Sequence, residues 1–227
     1  MAGKFITFEG GEGAGKSTQI ARLKERLEKS GVDVIATREP GGTAGAEIVR
    51  SVLLSGAARL YGPEAEAVLF NAARADHVDT LIKPALQADK WVLCDRFADS
   101  SRVYQGEAGV SDALIDQLQE VAIDGHEPDL TLLIDVPTEV GLARVTQRSE
   151  KGAEHAPDRF EQDTIETHER RRQLFLKIAE NAAHRFVVID GSQSLDAVEQ
   201  AIWQAVEDRF LKAKTPAGEA QGAAENG

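Results

Sequence analysis

The chain has 227 residues, 42% of them hydrophobic, a formal net charge of −12 and a single cysteine, Cys94. This size and apolar content suit one α/β domain with a sizeable core, and the acidic balance argues against a nucleic-acid surface, which would be basic. One thiol excludes an internal disulfide framework and fits a reducing compartment; with no apolar run near the roughly 18 residues that span a bilayer and no N-terminal signal segment, the expectation is a soluble cytoplasmic protein that binds neither nucleic acid nor membrane.

Residues 5–9 read as a short apolar strand, followed by a glycine-rich loop and a helix at 17–29 with Ile20, Leu23 and Leu27 on one face. A second strand at 32–37 runs into Arg38-Glu39-Pro40-Gly41-Gly42 and a helix at 44–54. A long helix at 64–86 precedes a strand at 91–95, which ends in Asp95-Arg96. Then come a helix at 112–123, a strand at 130–136 and a helix at 138–148. The polar stretch 149–158 reads as a mobile loop, and helix 164–183, strand 186–190 and helix 195–211 follow. Residues 212–227, rich in Ala, Gly and Glu without apolar periodicity, read as a disordered tail. No internal repeat is visible. The alternation predicts a central five-stranded parallel sheet with helices on both faces and every strand buried on both sides. In such a sheet phosphate chemistry gathers at the C-terminal strand ends.

The first loop, Gly10-Gly11-Glu12-Gly13-Ala14-Gly15-Lys16-Ser17, fits the P-loop pattern G-x-x-x-x-G-K-[ST]. Strand, glycine loop and helix in that order turn backbone N–H groups and a helix N-terminus toward one anion site. Lys16 can reach β and γ phosphates, and the Ser17 hydroxyl suits Mg²⁺. A glycine turn with no ligand is the alternative, and the Lys-Ser pair behind a strand disfavours it. The motif alone names no reaction. The sequence has no Asn-Lys-x-Asp element for guanine. Asp95 could organise a Mg²⁺ shell, and the adjacent Arg96 could clamp a second phosphate, which suggests an acceptor as well as a donor. The plainer reading of that pair is a salt bridge at a strand end.

Six blocks resemble bacterial thymidylate kinase (dTMP kinase) in order: Phe8-Glu9-Gly10, Arg38 to Thr43, Leu69-Phe70-Asn71-Ala72-Ala73-Arg74, Asp95 to Gly106, Pro128 to Val136, and Asp158-Arg159-Phe160-Glu161. The resemblance runs from residue 5 to about 211. It implies one P-loop NTPase domain over 1–211 with a mobile lid at about 144–160. The implied reaction is ATP + dTMP → ADP + dTDP by Mg²⁺-assisted in-line transfer, in a homodimer. It further implies that Gly10, Gly11, Glu12, Gly13, Ala14, Gly15, Lys16, Ser17 and Thr18 bind ATP, with Arg144 against the adenine. Glu12, Arg38, Pro40, Phe70, Arg74, Arg96, Ser100, Ser101, Tyr104 and Gln105 would bind dTMP. Among these, Phe70 would stack on thymine, Arg74 would donate to a base carbonyl, Arg38 and Arg96 would hold the phosphate, Glu12 would meet the sugar 3′-hydroxyl and Tyr104 would fill the space of a 2′-hydroxyl. Lys16, Asp95, Arg96 and the lid cations Arg148 and Arg159 would carry catalysis, and Ser17 and Asp95 would hold the metal.

Residue chemistry adds two arguments. Phe70 and Arg74 are four apart, hence on one helix face, and a charge on a core-facing stripe is costly without a partner, which the base would supply. Glu12 in a phosphate loop would only repel phosphate unless a ligand used it. The resemblance also implies that a P-loop with Gly13, not Arg, after Glu12 goes with basic residues in the lid. Val103 stands where Ala often precedes Tyr-Gln-Gly, and Glu150, Glu154 and His155 make the lid less basic than the family pattern. The rival readings are a kinase for dUMP, dCMP or AMP and a nucleotide switch that transfers phosphate only to water; paired arginines disfavour the switch. Apolar positions of 64–86 and 112–123 could form a dimer interface or cover the sheet.

Overall fold

The computed structural model describes residues 2–150, 160 and 163–212, without the side chains of 148–150. Five parallel strands, β1 (Phe5–Glu9), β2 (Val34–Arg38), β3 (Trp91–Asp95), β4 (Leu130–Asp135) and β5 (Phe186–Asp190), form one sheet in the order β2-β3-β1-β4-β5. The helices are α1 (Lys16–Lys29), α2 (Ala44–Leu54), α3 (Pro63–His77), α4 (Lys83–Gln87), α5 (Ala98–Glu107), α6 (Asp112–Ile123), α7 (Thr138–Glu150), α8 (Ile165–Asn181) and α9 (Leu195–Val206).

Alternation along β1 builds both halves of the core. Ile6 and Phe8 face Ile20, Leu23 and Leu27 of α1 and Val198, Ile202 and Val206 of α9. Phe5 faces the other way, into Val78, Ile82, Phe97 and Ile123. Each such side chain contributes about 1.5–3 kcal/mol by leaving water. Glu9 shares the parity of Phe5, and its carboxylate meets the start of α5. Register pairs Arg38 with Asp95 and Phe8 with Asp95. Chemistry-bearing strand ends therefore sit side by side.

Three expectations are corrected. The central strands β1, β3 and β4 are buried on both sides, but β2 and β5 are edges and alternate with exposed positions, because an edge strand is covered along one side only. The long helix over 64–86 is α3, a π-helical turn at Val78–Ile82 and α4; Pro84 sits near the α4 start, where its missing N–H costs little. Helix 195–211 ends as α9 at Val206 and continues as a second π turn, Glu207–Leu211. Helix α5 and a 3₁₀ turn at Ala57–Tyr61 are additional elements. Most of the expected lid and of the tail lie outside the described residues. Among the described residues no helix is long and apolar enough to cross a membrane.

Candidate active site

The P-loop threads between β1 and α1 with left-handed glycines. Gly13 has φ +69°, and a Cβ there would stand 2.1 Å from the Gly141 carbonyl of α7. Gly141 returns the constraint, since its own Cβ would lie 2.5 Å from the Glu12 carbonyl. The backbone of α7 therefore occupies the space a larger residue would need at position 13. Lys16 folds over the loop and donates to the Gly10 and Gly11 carbonyls at 3.2 and 3.1 Å. Burial, then the nearby Arg96, lowers its pKa. Ser17 Oγ donates to Asp95 Oδ2 at 2.7 Å.

These groups line one wall of a cleft of about 310 Å³; Arg38, Pro40, Phe70, Arg74, Arg96, Ser100, Ser101, Tyr104 and Gln105 line the other walls. Glu12, Gly13, Ala14, Gly15 and Thr18 also face it. The structure thus brings the P-loop and the expected acceptor residues together.

Arg96 occupies the junction, with φ +67°. Its Nη2 donates to Glu12 Oε1 at 2.6 Å, and its Nη1 donates to the Gly10 carbonyl and to Ser100 Oγ, both at 3.2 Å. Tyr104 OH donates to the same Glu12 oxygen at 2.8 Å, and the Arg96 guanidinium lies 5.0 Å from the Tyr104 ring centre. Burial alone would raise the Glu12 pKa, but Arg96, Lys16 and the Tyr104 hydroxyl outweigh it and hold the carboxyl at about 2. The argument that Glu12 needs a ligand to justify its charge is therefore corrected: the fold supplies an arginine. Burial pushes the Tyr104 hydroxyl well above its ordinary range, so it stays a donor.

The same correction holds for Arg74. It is buried, but its charge is met inside the protein: Nε donates to Glu39 Oε2 at 2.8 Å, Nη1 to Asn71 Oδ1 at 3.0 Å and Nη2 to Ser101 Oγ at 3.1 Å. Phe70, one turn earlier, is half-buried. Arg38 is more than half exposed and pairs with Glu47 at 2.8 Å.

Three expected residues stand apart from the cleft. Gly10 and Gly11 line a smaller hollow behind the loop with Asp135, His168 and Arg172. Arg144 donates through both Nη atoms to the Gly191 carbonyl at 3.1 Å, just past β5. The side chain of Arg148, all of Arg159 and His155 lie outside the described residues. Cys94 is fully buried, and burial first, then Glu39, raises its thiol pKa.

Sequence reasoning assigned no role to several residues of the site. Glu9 is buried beneath the Arg96 loop, accepting from Phe97 N at 2.8 Å and Ser100 Oγ at 2.7 Å. Burial, then the charge of Asp99, raises its pKa to about 7. Arg50 and Leu54 of α2 line the cleft, and Arg50 Nη1 donates to the Pro40 carbonyl at 2.6 Å. Phe160 also lines it, 5.3 Å from Tyr104 and 6.4 Å from Phe70 between ring centres. Arg50, a second charge beside Glu47 on the mostly apolar helix 44–54, was a usable signal; Glu9 reads as one more strand residue.

Residues 8–202 match the family model described as thymidylate kinase. The chain is 53% identical to "Thymidylate kinase" of Bradyrhizobium sp. (strain ORS 278), over 93% of this chain and 92% of that protein. It is equally identical to "Thymidylate kinase" of Nitrobacter winogradskyi, over 93% and 91%, and to that of Rhodopseudomonas palustris (strain ATCC BAA-98 / CGA009), over 93% and 92%.

Proposed function

The chain belongs to the thymidylate kinase family and phosphorylates dTMP to dTDP with ATP, and we propose that it does so through the residues of this cleft. The observation that carries the assignment of residues is that one cleft joins Lys16 and Ser17 to Arg38, Phe70, Arg74 and Arg96. A donor site and a second, cation-rich site in contact suit transfer between two phosphates.

In phosphoryl transfer the protein mainly positions the partners and neutralises charge. Lys16 exchanges its loop carbonyls for the donor β and γ phosphates. The other P-loop residues, Gly10 to Thr18, cradle them with backbone N–H groups. Arg96 and Arg38 hold the acceptor phosphate, reducing its repulsion from the donor. No general base is required, because the attacking oxygen is already anionic. Phe70 stacks on the thymine, worth about 1–3 kcal/mol. Arg74, Ser100, Ser101 and Gln105 supply polar edges, Pro40 closes the phosphate end, and Glu12 with Tyr104 faces the sugar. Arg148 and Arg159 are proposed as the lid cations and Arg144 as the residue against adenine, within one domain over 1–211 whose lid spans about 144–160.

Ser17 and Asp95 fit Mg²⁺: a hydroxyl and a carboxylate are hard oxygen donors, and this ion commonly takes one or two carboxylates plus substrate phosphates. Among the described residues no cluster of three or more His, Cys, Asp or Glu could hold an ion, which agrees with a metal brought largely by the nucleotide. Bound there, Mg²⁺ would neutralise charge on the donor phosphates.

We further propose a homodimer. Ile48 and Val52 on α2, Val68 on α3 and Val121 on α6 are exposed apolar residues, and α3 packs against both α2 and α6. A cytoplasmic location fits the reduced, buried Cys94.

The test is ADP release with Mg·ATP and each of dTMP, dUMP, dCMP, dGMP and AMP, with the product identified. Turnover dominated by dTMP and lost in Lys16→Ala is expected. Hydrolysis of ATP without acceptor dependence would refute the assignment.

A further inference from the structure

His77 does not line the cleft, yet it is fully buried one turn beyond Arg74 on α3. Its Nδ1 lies 3.0 Å from Glu39 Oε1 and its Nε2 lies 2.8 Å from Thr37 Oγ1. The other Glu39 oxygen takes the Arg74 Nε–H. A carboxylate only accepts, so His77 must carry a proton on Nδ1. In the neutral ring Nε2 then accepts from the Thr37 hydroxyl. Thr37, His77, Glu39 and Arg74 thus form one continuous chain of hydrogen bonds from β2 to the acceptor wall. The approach is tight: at Gly42, φ +92°, a Cβ would stand 2.4 Å from Thr37 Oγ1 and 2.7 Å from His77 Nε2.

We propose that His77 is a positioning residue for the acceptor base. This rests on reading the cleft as the dTMP site, with Arg74 at the base. Glu39 alone could rotate its carboxyl plane and move the oxygen that Arg74 follows. With Oε1 held by His77, Oε2 has one direction left. The other two Arg74 bonds go to the neutral acceptors Asn71 and Ser101, which are weaker guides than a carboxylate. Loss of the His77 proton donor leaves a buried carboxylate oxygen unpaired and frees Arg74 to shift.

Three variants test this. His77→Asn keeps a donor near the Nδ1 position. His77→Leu keeps about the same side-chain length without a donor, and Thr37→Val cuts the far end of the chain. His77→Leu is expected to raise KM for dTMP by about tenfold to a hundredfold, the range that a misplaced positioning group costs, while KM for ATP stays unchanged. His77→Asn should recover most of that loss, and Thr37→Val should give a smaller rise of the same kind. A folded His77→Leu protein with wild-type KM for dTMP, or Asn and Leu equally impaired, overturns the proposal. Should the Leu variant not fold, imidazole ¹⁵N spectra of the wild type decide: a hydrogen-bonded Nδ1–H supports it, and the Nε2–H tautomer alone overturns it. Absence of dTMP-dependent turnover in the wild type would instead refute the site assignment itself.

Discussion

Arg96→Met probes the contact on which the cleft turns. Glu12 is held at about 2 against an ordinary 4.5, with burial opposing and Arg96 the foremost of the groups that lower it. At about 1.4 kcal/mol per factor of ten, that difference is about 3 kcal/mol of folding free energy. The sign follows from linkage: a depressed carboxyl stabilises above its unfolded pKa, and the gain is lost as pH falls from about 4.5 to about 2. Both side chains are less than one-fifth exposed, so solvent screening takes only part of it. Without Arg96, burial acts on a carboxylate left with Lys16 and Tyr104, and stability at pH 7 should drop by about 2–4 kcal/mol. Glu12→Gln alone should cost less, because Arg96 keeps the Gly10 carbonyl and Ser100. Glu12→Gln added to Arg96→Met should restore about half the loss, since the unpaired charge is gone. Guanidinium unfolding of the four proteins at pH 7 gives the coupling energy. A value near 2 kcal/mol is expected, and one below about 0.5 kcal/mol would refute the claim that the fold, not a ligand, neutralises Glu12.

Arg38 behaves differently, because its pair with Glu47 is largely exposed. Arg38→Ala should change stability by less than about 1 kcal/mol yet raise KM for dTMP several-fold; an unchanged KM removes it from the acceptor phosphate. Ser17→Ala should increase the Mg²⁺ concentration needed for half-maximal rate while leaving dTMP binding, read by calorimetry, intact; an unmoved Mg²⁺ dependence contradicts the metal assignment. Glu9 has a raised carboxyl, so the folded state holds its proton more tightly than the unfolded chain. Its effect is to lower stability as pH rises from about 4.5 to about 7, a window above that of Glu12. Glu9→Gln should flatten the unfolding free energy between pH 5 and 7, and an unaltered slope would show that Glu9 does not titrate there.

What was legible in the sequence was local. The P-loop is one contiguous octapeptide between an apolar strand and an amphipathic helix, so spacing alone exposes it. Helix α5 was hidden because it buries Asp99, Ser101 and Gln105; Asp99 is satisfied by Arg185, 86 positions away, and no periodicity of apolar residues reports such a pair. Edge strands escape for a related reason: the run at 34–38 looks like a central strand until its neighbours are known. The partners of Arg74 and Glu12 were missed at distances of 35 and 84 positions. Sequence spacing showed that those charges needed partners, and only the fold could choose between a ligand and another residue.

That choice explains how an acidic chain can bind two polyanions. Among the described residues the cleft is lined by five cations (Lys16, Arg38, Arg50, Arg74 and Arg96) against three carboxylates (Glu12, Glu39 and Asp95). The local excess of two positive charges sits in a molecule whose formal charge is −12. Screening confines most of the outer negative field to about 8 Å at physiological salt, whereas charges inside the cleft act at contact distance and lower dielectric. The carboxylates cost attraction but fix the cations: Glu39 holds Arg74 and Glu12 holds Arg96, so less side-chain freedom would be lost at the proposed base and phosphate contacts. Arg38, at the cleft wall and held by an exposed pair with Glu47, would on the proposed assignment be the cation with most freedom to follow the acceptor phosphate.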